Sequence, residues 1–334
     1  MRIAILLAAV LAVLAGGRAE AHHQMLLLQL RGVTQAQFAG YYVADYQGFY
    51  DEVAIEVIIN PGGAGIEPAR VLADGGASII VEWMPAALAS RERGLPLVNI
   101  AQPFKRSGLM LVCRKGTGIG SPADLAGRTV GTWPDAEGYP FAVWMARLGL
   151  RTDGSVGGVT VLAQEQGHDI EPLLRGTADC ISVMSYDGFG RLLDAGLARE
   201  DLVVFSYEDE GAATLEDGLY VLEDVLADPD YVATLAAFLD ATMRGWQWAR
   251  ENPVEAARIV VECNTGGPLT EQAQVRMMQE INRLTEGGNG TLNPADYERT
   301  VGLLLAGGPG AAITRLPVGA WTHAVSDAAV LGQP

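Results

Sequence analysis

Cysteine is scarce: the 334 residues hold three, Cys113, Cys180 and Cys263. Isolated thiols build neither a disulfide framework nor a zinc site, so both are excluded. Free cysteine is among the most buried residue types, and three small core hydrophobes are the simplest expectation. A single bridge is the alternative that the sequence leaves open. Lysine is rarer still, with only Lys105 and Lys115. Acidic residues outnumber basic ones by 40 to 23, giving a formal net charge of −17. A surface of that sign repels phosphate backbones and anionic headgroups, which argues against nucleic-acid and membrane partners. After residue 21 no apolar run reaches the roughly 18 residues of a membrane span. No Ser-His-Asp, Cys-His or metal-ligand pattern stands out, and "GTGIGS" at 116–121 lacks the last glycine of a dinucleotide fingerprint. A non-enzyme without cofactor or metal is expected.

What is present begins with Arg2, an apolar run from Ile3 to Ala15, and the ending Ala19-Glu20-Ala21. That three-part pattern is a secretory signal, expected to be cleaved after Ala21 and to send a soluble chain to the periplasm. The remainder is long enough for two lobes with a core each.

Strand-length apolar runs alternate with amphipathic segments. Runs at 25–30, 54–60, 77–83 and 95–102 are separated by predicted helices at 36–50, 65–73 and 84–92. A second series follows, with strands at 128–133, 159–164, 180–186 and 202–209 and helices near 138–148 and 169–175. Long helices such as 230–252 close the chain. This order predicts an α/β protein with mostly parallel sheets. The expected division is residues 22–112 and 208–334 in one lobe and 113–207 in the other, with crossovers near 104–116 and 202–216.

"QAQFAGYYVADYQGFY" at 35–50 carries six aromatic side chains. On a helix most of them share one core-facing stripe, whereas Tyr41 lies off it and Gln37 sits one turn earlier, near the helix start. In open α/β sheets the crevice lies beyond the carboxyl ends of the strands, where the next helices begin. Gln37 and Tyr41 therefore face the expected cleft. The same rule collects Glu82 and Trp83, Trp133 and Glu137, His168, Ser185 and Tyr186, with Glu216 and Asp217 near the return crossover. Each has a plainer reading, His168 as a structural side chain and Glu216 with Asp217 as caps of a following helix. Trp144, Trp246, Trp248 and Trp321 suit core packing better. Rings, carboxylates and amides together suit a flat, amine-bearing heterocycle: the rings stack and the carboxylates accept N–H groups.

The blocks "QAQFAGYYVADYQGFY", "INPGGAGIEP", "LVNIAQPFKRSGLMLV", "LEDGLYVLED" and "GWQWARENPVEAA" resemble the thiamine-pyrimidine-precursor branch of the substrate-binding proteins of ABC importers. The resemblance covers nearly the whole mature chain. It implies a type II periplasmic binding fold, two α/β lobes joined by two crossovers with a helical C-terminal extension. It also implies a protein that closes on a small ligand and hands it to a permease and its ATPase; a monomer is the default expectation. Relatives bind formylaminopyrimidine or riboflavin, and more distant ones sulfonates or nitrate. The family's ligand-facing pattern carries over to Gln37, Tyr41, Trp83, Trp133, Glu137 and Tyr186. Trp83 and Trp133 would then sandwich or edge the ring, with Glu137 and Glu82 accepting its amino protons. Three cleft blocks depart from the pattern: "DAEGYPF" lacks the family's Asn, "QGHD" has His168 for Phe, and "MSYDGF" has Gly188 for Glu. Pyrimidine-synthesising enzymes on the same fold and ligand-presenting sensors are the rival classes.

Overall fold

The apolar runs form ten strands in a computed structural model that describes residues 24–134, 138–164, 170–307 and 311–329. The export signal read at 1–21 lies outside the described residues. One sheet takes β1 (Gln24–Gln29), β2 (Ile55–Asn60), β3 (Ile79–Glu82), β4 (Leu97–Ala101) and β10 (Gly218–Leu222), in the order β2-β1-β3-β10-β4. The other takes β5 (Leu109–Arg114), β6 (Thr129–Thr132), β7 (Thr160–Ala163), β8 (Cys180–Met184) and β9 (Leu202–Ser206), in the order β7-β6-β8-β5-β9. Strands such as β3 and β8 are buried along their whole length because helices cover both faces, so they read as unbroken apolar runs.

Four of the five strands in each sheet point the same way, as expected, and one in each runs against them. β10 runs antiparallel to β3 and β4, and β5 runs antiparallel to β8 and β9. Each is the first strand after the chain passes from one sheet to the other, so it enters from the opposite end. Both fall within or beside the expected crossovers. The passages between the sheets are 102–108 and 207–217, and the expected boundary at 112/113 falls inside β5.

Helices α1 (Ala39–Tyr46), α2 (Phe49–Glu52), α3 (Pro68–Ala73) and α4 (Met84–Glu92) accompany the first sheet; α5 (Tyr139–Arg147), α6 (Glu171–Leu174) and α7 (Gly188–Asp194) accompany the second. The tail supplies α8 (Pro229–Glu251), α9 (Pro253–Cys263), α10 (Glu271–Thr285), α11 (Pro294–Leu305) and α12 (Ala324–Ala328). The Asp228 carboxylate starts α8 by accepting the Asp230 and Tyr231 N–H groups at 2.9 and 3.4 Å, with Pro229 in the first turn. α8 lies against α1 so closely that Gly40 and Gly245 face each other, with no room for a Cβ on either. Among the described residues no helix is long and apolar enough to cross a membrane.

The cysteine expectation is corrected. Cys113 and Cys180 are direct partners in the β5–β8 ladder and form a disulfide, leaving Cys263 free. Their pairing depends on register between strands 67 residues apart, which local spacing does not reveal. Trp144 and Trp246 are buried in the core as expected.

Candidate functional site

The parallel strands of the two sheets end toward each other, and the antiparallel strands begin at the same place. β1 runs out into Leu30 and Arg31, β3 into Glu82 and Trp83, β6 into Trp133, and β8 into Ser185 and Tyr186. β5 starts after Ser107 and Gly108, β10 after Glu216 and Asp217. Strand ends and both crossovers therefore deliver polar and aromatic side chains to one seam.

The sheets meet there. Trp83 and Trp133, each 2% exposed, come from different sheets and touch edge to face, ring centroids 6.3 Å apart and planes at 76°. Indoles crossed at this angle leave no gap between parallel faces. At the rim α5 packs on α11, and Arg276 of α10 pairs with Asp194 of α7 at 2.5 Å.

Hydrogen bonds fix most of the seam. Gln35 donates to Gln37 Oε1 at 2.6 Å, which aims the Gln37 amide at Asp217 Oδ2, also 2.6 Å away. Glu216 Oε1 accepts the Ser107 hydroxyl at 2.6 Å and the Gly108 N–H at 2.9 Å, joining the two crossovers. Gln102 reinforces the join by donating to the Glu216 and Asp217 carbonyls at 2.8 and 3.3 Å. Glu82 Oε1 accepts the Trp83 N–H at 2.8 Å and the Arg31 Nε–H at 3.3 Å. Glu82 Oε1 thus positions both Trp83 and Arg31. The Tyr41 ring is buried edge-on to Trp246 at 5.6 Å, and its hydroxyl feels the Asp217 charge. A strand, β10, follows Glu216 and Asp217, so neither caps a helix.

The electrostatics follow from burial. Burial pushes the Glu216 carboxyl up to about 8, against the opposing Ser107 hydrogen bond. Asp217 is pushed up to about 6 by burial, held back by the Arg31 charge and the Gln37 bond. Tyr41 and Tyr186 are raised well above the phenol range, again mainly by burial. Five buried polar atoms of the seam reach no hydrogen-bond geometry: Tyr41 Oη, Trp83 Nε1, Ser185 Oγ, Glu216 Oε2 and Asp217 Oδ1. Trp83 Nε1 nonetheless helps to hold the Asp217 carboxyl down. Each such atom destabilises the protein by about 1–3 kcal/mol unless something meets it.

Gln37, Tyr41, Glu82, Trp83, Trp133, Ser185, Tyr186 and Glu216 thus lie at the seam or against it. Glu137 and His168 fall outside the described residues. Arg31 and Gln102 were missed, although they stand two residues and one residue past the ends of β1 and β4 and the strand-end rule would have reached them.

A family model described as NMT1/THI5 like matches residues 35–256. A formylaminopyrimidine-binding protein of Halalkalibacterium halodurans is 22% identical over 275 residues, 77% of this chain and 76% of that protein. The riboflavin-binding protein RibY of Chloroflexus aurantiacus is 24% identical over 228 residues, 62% of this chain and 64% of that protein. Among solved structures, the periplasmic aliphatic sulphonate binding protein SsuA of Escherichia coli superposes with a TM-score of 0.65 at 11% identity, covering 85% of each chain. The desulfurization enzyme DSZB superposes at 0.60 and 16% identity, over 91% of this chain and 98% of that one. Likeness at these identities shows the fold, which carries binding proteins and at least one enzyme.

Proposed function

The chain belongs to the NMT1/THI5-like family, and from that premise we propose that it is the solute-binding component of an ABC importer, capturing a small planar nitrogen heterocycle of the thiamine-pyrimidine-precursor type. The signal at 1–21 delivers it to the periplasm. Its lobes, exchanging chain at 102–108 and 207–217, close over the guest and present the closed form to a permease. Binding without turnover is the proposed role, in keeping with the names of both curated relatives.

The observation that carries this reading is the cluster of buried, unmatched polar atoms between the lobes, two of them carboxyl oxygens. A guest with an amino group and a ring nitrogen meets both: its N–H donates to Asp217, its ring nitrogen accepts the proton that burial keeps on Glu216 up to about pH 8, and Trp83 and Trp133 edge its ring. Binding energy realised only when both lobes touch the guest drives closure. A sulfonate fits less well. The seam holds Glu82, Glu216 and Asp217 against one guanidinium among the described residues.

The test is a titration of the purified mature chain with aminopyrimidines, formylaminopyrimidine, riboflavin and alkanesulfonates, read by tryptophan fluorescence and thermal shift. Micromolar or tighter binding of an aminopyrimidine is expected. Trp133→Ala should weaken it about tenfold to a hundredfold, the value of one aromatic stacking contact of about 1–3 kcal/mol. No thermal shift across the panel refutes the heterocycle; conversion of the bound pyrimidine, seen by mass spectrometry, refutes a purely binding role.

A further inference from the structure

Trp83 already carries a flat cation. The Arg31 Cζ lies 4.1 Å from the centroid of the indole, and the Arg31 Nε–H is turned to Glu82 Oε1 at 3.3 Å. The same oxygen accepts the Trp83 backbone N–H, so carboxylate and indole form one rigid unit. Both partners are nearly sealed, the Arg31 and Glu82 side chains being 11% and 9% exposed. The charge of Arg31 is felt at Tyr186, Glu216 and Asp217, which places it centrally in the seam.

We infer that Arg31 is an internal stand-in for the ligand: its guanidinium occupies the subsite that receives the guest's planar, protonated N–H edge, and the entering guest displaces it. The inference rests on the seam being the ligand site and deepens that reading by naming a class, an amidinium or aminopyrimidinium rather than an anion.

The chemistry of the subsite is that of a planar cation. Indole offers the strongest cation–π face among side chains, and desolvation raises its value. A carboxylate beside it accepts an N–H along the edge of the cation. Here the flat face is laid on Trp83 and the Nε edge on Glu82. Displacement is feasible because Arg31 lies just past the end of β1, and its long side chain can leave the seam by rotation about several bonds without moving the strand. The stand-in also spares Glu82 an uncompensated burial, which is strongly destabilising when one partner of a buried pair is lost.

The test is chemical rescue. Arg31→Ala and Arg31→Met each leave Glu82 beside the indole without the guanidinium. Methylguanidinium at low millimolar concentration should bind the folded variants about tenfold or more tighter than the wild type, read by tryptophan fluorescence. 4-Aminopyrimidine near its pKa should bind them at least as tightly as the wild type. Absence of rescue, or a tenfold loss of aminopyrimidine affinity, overturns the inference. Should neither variant fold, the wild type decides. Its Arg31 Nε–H resonance, shifted by the ring current of Trp83, should move toward the position of a solvated arginine when benzamidine or 4-aminopyrimidine saturates the protein; an unmoved resonance at saturation overturns the inference. Rescue by methylguanidinium with no pyrimidine bound by any form upholds the stand-in and removes the pyrimidine.

Discussion

Gly245→Ala is expected to destabilise the protein by about 3 kcal/mol, more than most single methyl additions, because nothing near the new atom can yield. A Cβ at Gly245 lies 2.2 Å from the Gly40 carbonyl oxygen, 2.7 Å from Ala44 Cβ and 2.9 Å from the Ala44 nitrogen. These are atoms of α1 itself, so α1 and α8 must separate. The opposite glycine is blocked as firmly, since a Cβ at Gly40 meets the Trp246 indole at 2.2 Å. The effect extends to the seam: α1 carries Tyr41, edge-on to Trp246, and the turn before it carries Gln37, whose amide holds Asp217. Displacing α1 should therefore weaken ligand binding along with stability. Gly302→Ala in α11 is the control, with no heavy atom within 4 Å of the added methyl. There the gain in helix propensity should stabilise by about 0.5–1 kcal/mol. Urea unfolding of both variants measures the contrast; equal midpoints would show that the two helices part freely.

The residues that were legible in the sequence are those whose role is set locally. Apolar runs and amphipathic stretches mark eight strands and the helices between them, because burial imposes a period on neighbouring positions. The strand-end rule then gathers Trp83, Trp133, Ser185 and Tyr186, since chain direction in a parallel sheet is a local property. What stayed hidden depends on partners far along the chain. β5 and β10 look like ordinary apolar runs beside crossovers, and only the opposite point of entry makes them antiparallel. The Cys113–Cys180 bridge needs the β5–β8 register. The angle between Trp83 and Trp133 is fixed by how two lobes sit across two passages, which no window of sequence contains. Arg31 is a different case: it stands where the rule points, but a lone arginine after a strand has an ordinary solvated reading, and only Trp83 and Glu82 around it give it another.

Between pH 5 and 8.5 stability should fall while affinity for a cationic guest rises. In the unfolded chain Glu216 and Asp217 titrate near 4.3 and 3.9. In the folded protein burial holds them up to about 8 and about 6. The native state thus binds more protons than the unfolded one, and its stability declines with rising pH, from about 4 to 6 for Asp217 and from about 4 to 8 for Glu216. A tenfold difference in proton affinity between the two states is worth about 1.4 kcal/mol, so a total loss of roughly 3 kcal/mol is expected after relaxation of the site. Arg31 moderates the loss because its charge favours ionisation of both carboxyls. Glu216→Gln keeps an oxygen to accept the Ser107 hydroxyl and the Gly108 N–H but cannot ionise. Its stability should flatten above about pH 7, one unit beyond the value of about 6 to which Asp217 is held. Binding has the opposite slope, because ionised carboxylates attract an amidinium and neutral ones do not. Benzamidine, protonated throughout this range, should bind more tightly at pH 8 than at pH 6, and Glu216→Gln should remove most of that gain. Urea midpoints and benzamidine titrations at each pH separate the two slopes. A stability curve level across the range would place both carboxyls in contact with water, and lobes parted that far could not hold a guest by desolvated charge.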